Sequence, residues 1–490
     1  MSRSRPPRQQ DLHDIARRAM MQRGLWPDFS PGALAETKRI ANTPLRVEAD
    51  MRDLRGLSWC SIDNDDSKDL DQLSVAQRGN GDRTKILIAI ADVASRVDKG
   101  SEIDQHARTN TTSVYTAAGI FPMLPTPLST DITSLNPGVE RAAVVIELSV
   151  DAEGDVEESD VYRALVVNHA QLAYNSVAAW LDGKERAPAA LTAIQGLDEN
   201  LRLQDRIAQR MKTRRHAGGA LSLESTEARP VFDGDTLLDL QRDEKNRAKE
   251  LIEDFMIAAN GVTARFLEKK RFPSLRRVLD TPERWDRIVE VCAGEGGRLP
   301  AIPSGPALEE CLTKLKQSQP DRFPDISLSI VKLLGRGKYV LELPGQDSAG
   351  HFGLAVRDYT HSTAPNRRFP DLITQRLLQA AISGEPVPYR RDELDALAQH
   401  CTQQEDNATK VERQVSKSAA AMLLEGRVGE QFDAIVTGAS DKGTWVRIFH
   451  PAVEGKVVRG FEDIDVGDHV RVKLLGTDVD RGYIDFALVR

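Results

Sequence analysis

Cysteines are few in this chain, and long apolar runs are missing. Only four of its 490 residues are cysteine, and no two form a C-x-x-C pair, which argues against a zinc finger or a dense disulfide framework. No apolar run approaches the roughly 18 residues that span a bilayer, and the basic N-terminus lacks the apolar core of a secretory signal. We therefore expect a protein of the reducing cytoplasm with no membrane partner. An arginine-rich organelle transit peptide stays open as the alternative.

The chain also lacks an overall excess of positive charge. Its formal net charge is −8, which argues against a protein that coats nucleic acid with its whole surface. Three stretches are nevertheless basic, at residues 209–216, 265–277 and 365–369. Each of them is either part of a local basic channel or a solvated helix face.

The length and the changes of pattern along the chain predict several domains, because 490 residues exceed what one hydrophobic core usually fills. Residues 1–50 read as two short helices, with Ser30 and Pro31 opening the second, and resemble a helix-turn-helix. Residues 51–425 mix strands with long helices without regular alternation and predict a large mixed α/β domain. Residues 426–490 contain short alternating strands between Gly and Asp turns, typical of a small OB-type β-barrel that binds single-stranded nucleic acid.

An acidic stretch, SIDNDDSKDLDQL at residues 61–73, stands at the start of the large domain. It places five aspartates within nine residues, namely Asp63, Asp65, Asp66, Asp69 and Asp71. A calcium loop of the EF-hand type does not fit, because Lys68 and Ser74 occupy the positions that require Gly and Glu. A solvated turn and a divalent metal site both stay open at this point.

The sequence around the aspartates favours the metal site. The partly apolar SWCSID before them predicts that Asp63 emerges from a buried strand, and the alternating LDQLSVA predicts that Asp69 and Asp71 share one face. Carboxylates fixed close together repel one another unless a cation lies between them, and oxygen ligands of this kind suit Mg²⁺ or Mn²⁺. Hydrolysis of a phosphodiester uses such a site.

The same stretch resembles the signature of the ribonuclease II / ribonuclease R (RNB) family of hydrolytic 3′→5′ exoribonucleases. Further segments resemble that family in the same order and cover roughly residues 54–420: IAIADVASRVDKGSEIDQHA, TSVYTAAGIFPMLPTPLSTDITSLNPGVER, GGALSLES, AKELIEDFMIAAN, HFGLAVRDYTHSTAPNRRFPDLITQRLL and ATKVERQV. The C-terminal barrel resembles the OB domain of the ribosomal-protein S-one type that ends these enzymes. The two cold-shock domains usual in the family have no counterpart before residue 51, from which we expect a more open RNA entrance.

The resemblance assigns the metal and the catalytic acids to Asp63, Asp69 and Asp71. In that scheme Asp63 and Asp71 lie nearest the metal and the scissile phosphate, and Asp69 supports them. The family's fourth acid is Gln72 here, which offers a carbonyl oxygen but no charge. We expect weaker metal binding as a result, with Asp65 or Asp66 as substitutes.

The resemblance also implies residues that contact RNA. Arg367 matches an arginine that contacts the scissile phosphate, with Asn366 where the family usually has an apolar residue. Tyr115 matches an aromatic ring that stacks on the terminal bases. The remaining candidates for RNA binding are Glu412, Glu253 and Arg368 in the large domain and Trp445 and Phe432 in the barrel, where Phe449 is a further aromatic candidate and some of these rings must instead fill the core.

The resemblance therefore implies a monomeric hydrolase that degrades single-stranded RNA from the 3′ end to nucleoside 5′-monophosphates, with Mg²⁺ or Mn²⁺ as cofactor. Two alternatives stay open. One is an RNA-binding regulator whose cleavage activity has weakened through Gln72, and the other is a DNA-binding protein that uses its N-terminal helices.

Overall fold

The protein is described from a computed structural model. It covers residues 9–45, 47–79, 81–224, 228–233, 236–242, 245–320, 322–347, 349–440, 443–462, 464 and 468–489, without the side chains of 228–242 and 440. Within these ranges, no helix is both long enough and apolar enough to cross a membrane.

The helices and strands follow one another in three blocks. The first block contains α1 (Gln9–Gln22), α2 (Pro31–Ala41), β1 (Arg52–Asp53), β2 (Cys60–Asp63), β3 (Gln72–Arg78), β4 (Thr84–Ala91), α3 (Glu102–Asn110), β5 (Val114–Thr116), β6 (Gly119–Phe121), β7 (Glu140–Val150), β8 (Val156–Val167) and β9 (Ala170–Ala173). The second contains α4 (Tyr174–Leu181), α5 (Ala189–Thr192), α6 (Leu197–Ala217), β10 (Ala228–Asp233), β11 (Thr236–Arg242), α7 (Arg247–Lys269), β12 (Ser274–Val278), α8 (Trp285–Gly294), α9 (Gly305–Ser318), α10 (Phe323–Leu334), β13 (Lys338–Glu342), α11 (Phe369–Ser383) and α12 (Arg391–Leu424). The third contains β14 (Gln431–Ser440), β15 (Gly443–Ile448), β16 (Val453–Arg459), β17 (His469–Asp478) and β18 (Tyr483–Leu488).

A seven-stranded sheet organises the large domain, with the order β1-β8-β7-β4-β3-β2-β9. The apolar sequence of β4 explains its central position, since Ile86, Ile88 and Ile90 are completely buried. Helix α7 packs on β2, β7 and β8, and α11 contributes further buried side chains to the same core. This sheet fixes the ends of β2 and β3, where the acidic stretch lies.

The two N-terminal helices form as the sequence predicts. Ser30 caps α2, because its hydroxyl accepts a hydrogen bond of 3.0 Å from the N–H of Ala33, and Pro31 occupies the first turn. Helix α1 packs along α12, and α2 packs on α3. Each helix is therefore anchored on the large domain.

The C-terminal strands close into a five-stranded barrel with the order β14-β15-β16-β18-β17. Alternate residues of β15, among them Val446 and Ile448, point into its core. The barrel rests on the end of α12 through β17 and β18, and Arg447 on its outside makes two hydrogen bonds of 2.6 and 2.8 Å to Asp325 on α10. The predicted fold class, a large mixed α/β domain followed by a small β-barrel, is confirmed.

Candidate active site

The acidic stretch connects β2 to β3 at one edge of the large sheet. Asp63 is the last residue of β2, and its Oδ1 accepts hydrogen bonds from the N–H of Asn64 at 2.7 Å and from the hydroxyl of Ser67 at 2.9 Å. These bonds fold the loop back over the end of the strand. Asp63 is thus held on a rigid element, as the sequence predicts, and stays only half-buried.

Asp71 is the buried acid of the group, with only 2% of its surface exposed. Its backbone carbonyl accepts a hydrogen bond from Ala91 at 2.9 Å, and its Oδ1 accepts one from the N–H of Asn366 at 3.2 Å. Burial raises the pKa of Asp71 to about 7, and the nearby charge of Asp69 adds to the rise while Arg367 opposes it. Arg367 therefore offsets only part of the cost of a buried negative charge at Asp71. A cation bound beside this carboxylate would stabilise its charged form.

Arg367 brings that positive charge from far along the chain. It lies in the loop before α11, and its Nε is 3.6 Å from Oδ2 of Asp71. The arginine side chain is 46% exposed, whereas the Asp71 side chain is 3% exposed. The guanidinium thus lies over a buried acid and keeps most of its donors available to a ligand, as contact with a phosphate requires.

Asp69 joins the same electrostatic group. Burial raises the pKa of Asp69, the charges of Asp63 and Asp66 act in the same direction, and Arg367 acts against them. The structure therefore brings the acids predicted from the sequence and the predicted arginine into one site.

Tyr115 borders this site from the short hairpin of β5 and β6. The residue is 41% exposed, and its backbone N–H donates a hydrogen bond of 2.9 Å to Oε1 of Glu412 on α12. Burial raises the pKa of Tyr115 to about 12, and the charge of Arg367 together with a hydrogen bond from it opposes the rise. Tyr115 thus stands beside Arg367, and Glu412 positions the strand that carries it.

Comparisons with known proteins show which family the chain resembles. The chain matches the RNB domain over residues 51–384 and the RNase II-type exonuclease C-terminal S1 domain over residues 430–489. The chain belongs to the RNB family. It is 30% identical to ribonuclease R of Escherichia coli strain K12 over 515 residues, covering 97% of this chain and 62% of that protein. It is 28% identical to ribonuclease R of Aquifex aeolicus, covering 89% of this chain and 65% of the relative. The chain thus spans less than two thirds of the length of these relatives.

Several solved structures share the fold of this chain. RNase R of Mycoplasma genitalium, solved in complex with ribose-methylated single-stranded RNA, superimposes with a TM-score of 0.85 at 22% identity and covers 98% of this chain and 78% of that one. Yeast Ssd1, described as a pseudonuclease, superimposes with a TM-score of 0.68 at 17% identity and covers 94% of this chain and 57% of that one. The RNB fold thus occurs in a nuclease and in a pseudonuclease.

The acids of this RNB domain do not provide a complete set of metal ligands by themselves. Among the described residues, no three His, Cys, Asp or Glu side chains lie close enough together to hold a metal ion. Mg²⁺, however, usually keeps several waters and binds through one or two carboxylates together with substrate phosphates. A pair of aspartates beside an exposed arginine fits a metal ion that the carboxylates would bind together with phosphate oxygens of RNA.

Gln72 occupies the first position of β3, next to Asp71. Its Cα faces Ile90 of β4 in the register of the sheet, and its side chain is half-buried. No negative charge is thus available at this position, as the sequence indicates.

The other candidates in the RNB domain are held by neighbours. Arg368 donates a hydrogen bond of 2.7 Å to Asp371, whose side chain is fully buried, and this pair supports the loop that carries Arg367. Glu253, on α7, pairs with Lys245 at 3.4 Å. Contact of Arg368 or Glu253 with RNA stays a prediction.

In the barrel, the structure separates the two aromatic candidates. Phe432 is only 7% exposed and packs edge-on against Phe486 with ring centroids 6.3 Å apart. The prediction that Phe432 stacks on RNA is therefore wrong, because its ring fills the core. Trp445 lies on the outer face of β15 and is partly exposed, with Lys456 over its ring. Phe449, 38% exposed, stacks on His469.

The sequence did not point to the residues that hold the two halves of the site together. Thr133 and Ser134 follow a π-helical turn at Leu128–Ile132, and they contact the acidic loop and the arginine loop. Neither carries a charge or belongs to a metal-ligand pattern. Their only signal is their place within the family-like segment TSVYTAAGIFPMLPTPLSTDITSLNPGVER.

Proposed function

We propose that the protein is a hydrolytic 3′→5′ exoribonuclease that degrades single-stranded RNA to nucleoside 5′-monophosphates. The observation that carries this proposal is the 3.6 Å approach between the buried Asp71 and the exposed guanidinium of Arg367. A buried acid with a raised pKa next to an exposed arginine is suited to a phosphate together with a cation. The family and the ribonuclease R relatives support the same activity.

Each residue of the site has a separate task in this proposal. The fork of Arg367 binds two oxygens of the scissile phosphate and stabilises the charge that develops as the P–O bond breaks. Asp63 and Asp71 hold the divalent cation, and Asp69 adds negative charge beside them. When bound, Mg²⁺ or Mn²⁺ polarises the phosphate and lowers the pKa of an attacking water.

Selection of the substrate rests on stacking rather than on base-specific contacts. Tyr115, exposed beside Arg367, offers a ring to the 3′-terminal bases, and every base has a π-face. Trp445 on the barrel offers a second ring to the upstream strand. We expect RNA to be preferred over DNA through contacts with the 2′-hydroxyl.

We also propose that the enzyme works as a monomer in the cytoplasm. All four cysteines are buried and free, which is what a reducing compartment favours.

An RNA-binding regulator with weak or no cleavage is the second candidate function. Two observations favour it: Gln72 replaces an acid, and the described residues hold no group of three metal-binding side chains. In this alternative the site grips RNA through Arg367 and Tyr115 without turnover.

Purified protein with 3′-labelled single-stranded RNA in Mg²⁺ or Mn²⁺ distinguishes the candidates. We expect labelled mononucleotides from the wild type, none from Asp71→Asn, and normal activity from Asp98→Asn, which removes an exposed carboxylate outside the site. Tight RNA binding without mononucleotides in either metal would establish the regulator instead. A preference for duplex DNA would contradict both RNA-based functions and support the DNA-binding alternative.

A further inference from the structure

The segment that follows the π-helical turn is tied to the acidic loop. The hydroxyl of Ser134 accepts a hydrogen bond from the N–H of Leu70 at 2.9 Å and donates one to the carbonyl of Lys68 at 2.8 Å. The N–H of Leu135 donates to the carbonyl of Leu70 at 3.0 Å. Three bonds thus hold the backbone on both sides of Asp69 and next to Asp71.

The preceding residue, Thr133, is tied to the arginine loop. Its Oγ1 lies 2.6 Å from Oδ1 of Asn366, and these two residues are 4% and 1% exposed. The N–H of Asn366 in turn donates to Oδ1 of Asp71, and Arg367 is the next residue. Two consecutive residues, Thr133 and Ser134, therefore connect the loop of the acids with the loop of the arginine.

The number of hydrogens available for donation around Thr133 determines how this contact is made. The Thr133 hydroxyl also lies 2.8 Å from the carbonyl of Leu128, yet a hydroxyl has only one hydrogen to donate. Among the described residues, the buried Nδ2 of Asn366 has no hydrogen-bond partner. If the amide is turned, Nδ2 donates to Thr133 and the hydroxyl donates to Leu128, so that both bonds form at once. Burial of both residues makes loss of this bond costly.

We propose that Thr133 is a positioning residue for the reaction, which sets the distance between Asp71 and Arg367 through its hydrogen bond to Asn366. The inference rests on the proposed nuclease function. Thr133 does not reach the RNA in this scheme. It acts through Asn366, whose backbone holds Asp71 and whose neighbour is Arg367.

Three variants test this role. Thr133→Val keeps the shape and removes the hydroxyl, Thr133→Ser keeps the hydroxyl, and Thr130→Val is the matched control. Thr130 lies three residues earlier and is partly exposed, and its hydroxyl donates a hydrogen bond of 2.8 Å to the carbonyl of Thr126 in its own turn. The readouts are kcat on single-stranded RNA, RNA affinity in EDTA, and hydrogen exchange of the backbone amides at residues 364 and 366–368.

Thr133→Val is expected to lower kcat by ~10-fold or more, since small misplacements in an active site cost rate, and to leave RNA affinity within about twofold. Its backbone amides at residues 364 and 366–368 should exchange faster, because Asn366 loses its hydrogen bond to Thr133. Thr133→Ser should restore both properties, and Thr130→Val should resemble the wild type.

Wild-type kcat in Thr133→Val overturns the proposal. Equal losses of kcat and RNA affinity without rescue by serine also overturn it, because they indicate a general structural role. If the wild type itself does not cleave RNA, the proposed function fails, but the exchange readout still decides the positioning role: unchanged exchange in Thr133→Val contradicts it, and faster exchange reversed by serine supports it.

Discussion

The Nε of Arg367 lies 3.6 Å from Oδ2 of Asp71, so the two chemical halves of the site meet although they come from opposite ends of the large domain. The sequence-based hypothesis depended on this contact, since a wide separation of the two side chains would have contradicted a phosphate site. Because the arginine is exposed and the acid is buried, the arginine lies on the solvent side of the site. In the proposed function RNA would approach from the side of Arg367, with the acids beneath.

Replacing Arg367 by lysine tests whether the fork, rather than the charge alone, is needed. Lysine keeps a positive charge near Asp71 but cannot hold two phosphate oxygens in one plane. We expect kcat to fall by about 10²-fold, measured in single turnover with single-stranded RNA. Arg390→Lys is the control, because Arg390 forms an exposed pair with Asp392. Equal rates in wild type and Arg367→Lys would show that a point charge is sufficient.

Restoring an acid at position 72 tests whether the missing negative charge there weakens metal binding. Gln72→Asp places a carboxylate beside Asp71 at the start of β3, and ligand charge raises affinity for hard divalent ions. We expect the Mn²⁺ concentration at half-saturation to fall by roughly 10-fold, measured by the signal of free Mn²⁺ in the presence of RNA. Gln77→Asp adds the same charge farther along β3 and should change little. Unchanged Mn²⁺ affinity in Gln72→Asp would mean that this side chain does not face the metal.

The pKa of Asp71 predicts how stability depends on pH without metal. Burial raises it from the ordinary 3.8 to about 7, so the folded protein prefers the protonated acid. The stabilising contribution is complete below the ordinary pKa and is lost as the pH rises through 7. Asp71→Asn lacks this loss, and its free energy of unfolding relative to wild type should rise between pH 4 and pH 7 by up to about 4 kcal/mol.

Urea unfolding in EDTA across this pH range measures the difference. Asp98→Asn, at an exposed position, should run parallel to the wild type. A constant difference between Asp71→Asn and wild type would contradict a raised pKa at Asp71.

Much of this architecture follows from local sequence, because charge and alternation are local properties. Asp63, Asp69, Asp71 and Arg367 stand in family-like segments, and the strands of the barrel alternate clearly. The contact between Thr133 and Asn366 could not be predicted in the same way, since it joins two uncharged residues across the fold. Its existence depends on how the π-helical turn packs on the loop before α11.

The alternation along the barrel strands distinguishes aromatic rings of the core from those of the surface. In QFDAIV, the residues Phe432, Ala434 and Val436 alternate and are all buried. In TWVRI, Val446 and Ile448 take the inner positions, which leaves Trp445 outside. The period of two along a strand thus separates core rings from surface rings.

Alanine variants of Trp445 and Phe432 should therefore differ in effect, the first on RNA binding and the second on stability. Trp445→Ala should keep the barrel folded and weaken binding of single-stranded RNA by about 1–3 kcal/mol, the usual contribution of one base stacked on a ring. Phe432→Ala should instead lower the free energy of unfolding by about 3–5 kcal/mol, because it leaves a cavity in the core. Fluorescence anisotropy with labelled RNA at one fixed salt concentration measures the first effect, and urea unfolding measures the second. Wild-type RNA affinity in Trp445→Ala would show that RNA follows another face of the barrel.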